Sequence, residues 1–256
     1  MTNHSIFRFS ADKRPVAIIL TFSLMDILAF FKMGSIVMLA AYWLIMILPK
    51  GIICAWNHHH QHRSVFMQKP LNRVLEFFYA LHTGVTTNLW QLHHNLGHHR
   101  NYLDQTKDES RWKRDDDSTM GMIEYTIITT LTAYTRGFKV GKNHPERQQQ
   151  FLFFTAVTFL IILGLTIYKP VSALFIIILP MISSLLFTSW TTYDHHAGLD
   201  TQDQFAASHN KTSRLYNLLT GNLGYHTAHH YKQGVHWSKL PELHEQIKDR
   251  ISPALL

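Results

Sequence analysis

Apolar and polar positions in this chain are segregated into long blocks rather than spread over short periods. Residues 15–31 (PVAIILTFSLMDILAFF) are apolar apart from one acid, Asp26. After Lys32 a second run, residues 33–56 (MGSIVMLAAYWLIMILPKGIICAW), is interrupted only by Lys50. Two more runs lie downstream: residues 151–168 (FLFFTAVTFLIILGLTIY) and, after Lys169-Pro170, residues 171–193 (VSALFIIILPMISSLLFTSWTTY). Each run is near the length a helix needs to cross about 30 Å of hydrocarbon, and each is apolar all round rather than amphipathic. The short connections predict two helical hairpins, with a kink at Pro180.

The polar blocks predict what lies outside the bilayer. Residues 71–90 read as a helix at or near the membrane surface, and residues 122–138 as a weaker amphipathic helix. Asp115, Asp116 and Asp117 form an acidic run that reads as a solvated loop. If both hairpins enter from one side, the far side holds only Lys32 and Lys169, and apart from Lys50 within the second run the remaining Lys and Arg fall on the near side. The positive-inside rule then puts residues 57–150, residues 194–256 and both termini in the cytoplasm. The expected fold is an all-α membrane protein with four transmembrane helices in two hairpins and a cytosolic helical cap. It is expected to be a single domain over residues 1–256.

Composition sharpens this picture. Charged residues are 16% of the chain and hydrophobic residues 46%. The formal net charge of +7 belongs to a face lying against the membrane; no nucleic-acid-binding motif accompanies it. Residues 1–14 carry no signal-peptide cleavage pattern. The single cysteine, Cys54, excludes an internal disulfide and a cysteine-based zinc site. Histidine is abundant, at nineteen residues.

The histidines cluster four times. Asn57-His-His-His-Gln-His62 follows the second apolar run and offers the i, i+4 pair His58 and His62. Residues 93–99 (HHNLGHH) offer His94, His98 and His99. Tyr193-Asp-His-His196 closes the fourth run and offers His195, with His196 as the alternative. Residues 226–230 (HTAHH) offer His226, His229 and His230, which share one face of a helix. All four clusters fall on the same side of the predicted membrane. Nine imidazoles exceed the about four ligands of one zinc and suit two metals. An all-nitrogen shell favours a first-row transition metal. Iron with open positions for dioxygen fits, and ligand type alone leaves zinc and copper open. His59, His60 and His93 read as lying outside the shell. His4, His82, His144, His209, His236 and His244 read as surface, capping or supporting residues.

The order HxxxH, HxxxHH, a lone histidine after a membrane helix, then HxxHH resembles the membrane fatty acid desaturase and hydroxylase superfamily. Residues 222–244 (NLGYHTAHHYKQGVHWSKLPELH) are especially similar to that family's third box. Residues 94–99 (HNLGHH) also resemble the second box of alkane 1-monooxygenases. The resemblance implies a non-haem di-iron centre held by His58, His62, His94, His98, His99, His195, His226, His229 and His230. It implies two iron ions, dioxygen as co-substrate, and desaturation of a fatty-acyl chain of a lipid or acyl thioester. A separate electron donor of ferredoxin, rubredoxin or cytochrome type is implied too. An alkyl or acyl-chain hydroxylase would use the same ligands. A metal transporter would place histidines or acids along the membrane helices, where only Asp26 occurs, and a zinc hydrolase would need fewer ligands.

Overall fold

A computed structural model describes residues 5–256, so His4 lies outside the described residues. The described chain is helical, with two isolated β-bridges. Four helices are long and apolar enough to cross a membrane: Ser10–Lys32, Ile36–His62, Pro145–Tyr168 and Pro170–His196. We label the first α1 (Lys13–Lys32, entered through a 3-10 turn), the second α2, and the last two α5 and α6. Between them lie α3 (Lys69–Thr83) and α4 (Met122–Gly141). The tail carries α7 (Arg214–Thr220), α8 (His226–Tyr231) and α9 (Leu240–Ile247).

The four spans match the four apolar runs, and each extends beyond its run at the polar end. Hydropathy marks where hydrocarbon ends, whereas the backbone ladder continues as long as no residue breaks it. Thus α2 runs on through His58 to His62, and α6 through both His195 and His196. The predicted helix over 71–90 is shorter than expected. It stops at Gly84, a left-handed C-cap with φ 71°, and the β-branched run Val85-Thr86-Thr87 does not resume it.

The chain divides into two compact units. The first comprises Met1–His60, Ser64–Asn88 and Gln149–Leu185. Its apolar core joins Ala29, Phe30, Leu39, Ala173, Ile176 and Ile177. Many large apolar side chains on its helices, such as Val37, Ile45 and Ile167, are exposed, as expected where the solvent is hydrocarbon. The two charges that interrupt the apolar runs satisfy each other. Lys50 Nζ lies 2.8 Å from Asp26 Oδ2 and 3.2 Å from the Ile176 carbonyl. Tyr42 donates to Asp26 Oδ1 at 2.8 Å. Pairing of this kind lets a charged residue sit inside an apolar helix, and it leaves Asp26 engaged rather than open to a passing cation.

The second unit comprises Gln61–Arg63, Leu89–Gln148 and Leu186–Leu256. Here α4 buries a stripe at i, i+4 spacing: Tyr125, Thr129, Ala133, Gly137 and Gly141. Its small residues allow close approach. A Cβ at Gly137 would stand 2.6 Å from Leu89 Cδ1. The opposite side of α4 exposes Ile123, Ile127 and Leu131. The tail has its own core of Phe205, Ala228, Leu240, Leu243, Ile247, Ile251 and Leu255.

Candidate metal centre

The second histidine cluster lies on a π-helical segment, Gln91–His98. Its backbone closes from His99 N to His94 O at 2.8 Å, five residues apart rather than four. The widened turn brings i and i+5 onto one side. His94 and His99 therefore meet, with their Nε2 atoms 3.0 Å apart, and His98 is turned elsewhere. Gly97 makes room beside this segment, because a Cβ there would lie 2.7 Å from Glu109 Cγ. The segment carrying Asp108 can thus lie against the π-helical turn.

The third box is positioned by the tail core. On α8, Thr227 and Ala228 face inward. Thr227 Oγ1 pairs with Ser208 Oγ and accepts from Asn210 Nδ2, both at 2.9 Å, and Ala228 is fully buried. That leaves His226, His229 and His230 on the other side.

Within the second unit the histidines assemble into two groups. In group one, ligand atoms of His62, His94, His99 and His229 lie within 4.8 Å of one another. His99 Nε2 is 3.0 Å from both His94 Nε2 and His229 Nε2. His58 lies one turn before His62 on α2, on the same helical face, and is buried. Group two holds His98, His196 and His230 within the same limit. His226 Nε2 is 3.0 Å from His196 Nε2.

Hydrogen bonding alone does not account for these contacts. His98 Nδ1 lies 2.9 and 3.0 Å from the two oxygens of Asp108, so it carries the proton. His196 Nδ1 donates to the Ala207 carbonyl at 2.9 Å. In the neutral rings both Nε2 atoms are then lone pairs, yet they face each other at 3.3 Å. His230 is buried with no hydrogen-bond partner on either nitrogen among the described residues. A cation resolves each of these conflicts. Burial, with repulsion between neighbouring imidazoles, holds the His94, His99 and His230 rings well below the usual imidazole pKa. Neutral imidazole is the form that binds metal.

Of the two adjacent histidines closing α6, His196 turns its Nε2 into group two. His195 Nδ1 faces the His209 carbonyl at 3.3 Å and its Nε2 faces the Tyr216 hydroxyl at 3.3 Å. His195 stacks on His226 with ring centroids 3.9 Å apart. The supporting histidines are placed as follows. His60 Nε2 meets Glu76 Oε1 at 3.3 Å, and His59 stacks on His58. His93 is buried beyond the groups and is pushed down to about 3 by burial and Arg136. His236 caps a 3-10 turn by accepting from Ser238 N.

Sequence reasoning missed Asp108, which sits in a polar loop among acids that are solvated. Asp115 and Asp117 are indeed highly exposed, whereas Asp108 is 4% exposed. No local signal separates them. A carboxylate on the far nitrogen of a metal-binding imidazole fixes its tautomer and raises its basicity. Asp108→Ala is expected to weaken metal binding by about 10–100-fold, and Asp116→Ala to leave it unchanged. Metal retention against a graded chelator series measures both.

Fold and site together define a multi-spanning membrane protein with buried histidine groups able to hold metal. The chain belongs to the fatty acid desaturase family: the model of that family, described as Fatty acid desaturase, matches residues 34–255. No curated protein and no solved structure gave a significant match. Membership makes the chain an integral membrane oxidoreductase of the desaturase and hydroxylase type, working on lipid acyl chains. The buried histidine groups are compatible with iron.

Proposed function

We propose that the protein is a dioxygen-dependent fatty-acyl desaturase with two iron ions. His62, His94, His99 and His229, joined by His58, would hold one ion. His98, His196, His226 and His230 would hold the other. The opposed lone pairs of His98 and His196 carry the metal part of this reading. An all-imidazole donor set suits a first-row transition metal such as iron.

Bound iron would supply the oxidant that removes hydrogen from an unactivated methylene. The protein's part is to hold neutral imidazoles in place, to fix their tautomers through Asp108 and the Ala207 carbonyl, and to keep water from the site. The overall balance is one acyl chain, dioxygen, two electrons and two protons giving an alkene and two waters. The electrons come from a separate ferredoxin, rubredoxin or cytochrome-type donor. The acyl chain belongs to a membrane lipid or a thioester. The Lys and Arg bias supports a cytoplasmic site and cytoplasmic termini.

Two measurements on purified protein test this. Metal analysis is expected to give about two irons per chain, and one zinc overturns the reading. With a redox partner, mass spectrometry of the product is expected to show loss of two hydrogens. A product that instead gains one oxygen makes the enzyme a hydroxylase on the same ligands.

A further inference from the structure

Tyr102 has no part in the reaction above, yet it lies against group two. Its ring centroid is 4.4 Å from that of His230, 6.2 Å from His98 and 6.3 Å from His196. One phenol thus packs against three imidazoles of a single group. Its side chain is partly exposed, in the loop that follows the π-helical segment. Trp90 lies against His94 of group one, with ring centroids 5.7 Å apart.

An oxidant able to take hydrogen from a methylene is also able to oxidise a phenol, which gives up an electron and its hydroxyl proton far more readily. With an acyl chain bound, the methylene is consumed. Without one, the nearest oxidisable side chain in ring contact is exposed to the same driving force. Ring contact allows an electron to pass without rearrangement of the fold.

We propose that Tyr102 is a reversible electron donor to group two that discharges the oxidised site when no acyl chain is bound. The site, two electrons above its resting state, gains one from Tyr102 and the other from the redox partner, and the phenolic proton passes to water. The product is a neutral phenoxyl radical. One electron from the redox partner and one proton from water restore the phenol. This inference rests on the dioxygen chemistry proposed above.

The test uses the iron-loaded, chemically reduced full chain in a steroid-based detergent, which offers no acyl chain. The protein is mixed with dioxygen, frozen rapidly and examined by electron paramagnetic resonance. The expected result is an organic radical signal that narrows when the protein carries ring-deuterated tyrosine. The signal is expected to vanish in Tyr102→Phe and to persist in Trp90→Phe, with iron content unchanged in both. A signal that survives Tyr102→Phe overturns the proposal. So does its absence from wild-type protein that holds iron and consumes dioxygen. Wild-type protein that holds iron but consumes no dioxygen overturns the dioxygen reading itself, and this inference with it.

Discussion

Replacing His196 with alanine is expected to lower metal content from about two ions per chain toward one and to abolish turnover, whereas replacing His195 leaves both ions in place. The two residues are neighbours on one helix, so propensity, burial and charge differ little between them. They differ in what their nitrogens meet. His196 Nδ1 is held by the Ala207 carbonyl at 2.9 Å, and its Nε2 faces those of His98 and His226 at 3.3 and 3.0 Å. Both nitrogens of His195 already face protein partners, the His209 carbonyl and the Tyr216 hydroxyl. His195→Ala therefore removes a stacked ring and two polar contacts, a loss of about 1–3 kcal/mol in stability. Metal analysis with thermal unfolding of both variants decides. Loss of metal from His195→Ala with retention by His196→Ala would overturn the assignment.

The helices that cross the membrane were legible because hydropathy is a local quantity, summed along one segment. The continuation of α2 past Lys50 was less so. It depends on Asp26, 24 positions earlier, lying 2.8 Å from the ammonium group. The histidines themselves were legible as a pool, since their spacing reports which rings share a helical face. Their division between two groups was not. The pattern HxxxHH assumes an α-helix, in which i and i+4 coincide. The π-helical closure pairs His94 with His99 and sends His98 to the other group. Likewise His226, His229 and His230 share one face of α8 and read as pointing to one place. The structure directs His229 to group one and the other two to group two. The choice between His195 and His196 turned on helix phase at the end of α6. Asp108 had no sequence signal, because burial beside Gly97 distinguishes it from the acids around it.

The last expectation concerns the glycine that sets the third box in place. Gly224→Ala is expected to cost more than about 4 kcal/mol locally and to strip metal from both groups. An added Cβ would lie 2.0 Å from the Lys211 carbonyl oxygen and 2.7 Å from Asn217 Oδ1. The first neighbour is backbone and cannot swing aside. Lys211 N donates to the Gly224 carbonyl at 2.8 Å, and Gly224 N donates to Asn217 Oδ1 at 3.1 Å. These bonds pin the chain two residues before His226, so relieving the overlap means moving the start of α8. Because α8 serves both groups, through His229 to one and through His226 and His230 to the other, one displacement reaches both. The membrane spans do not depend on this contact, and the variant is expected to insert normally. Gly164→Ala is the control: nothing lies within 4 Å of its added Cβ, inside the span α5. Hydrogen exchange over residues 222–244 should rise sharply in Gly224→Ala alone, together with loss of metal. Full metal content and turnover in Gly224→Ala would show that the third box is held by the tail core without this close approach.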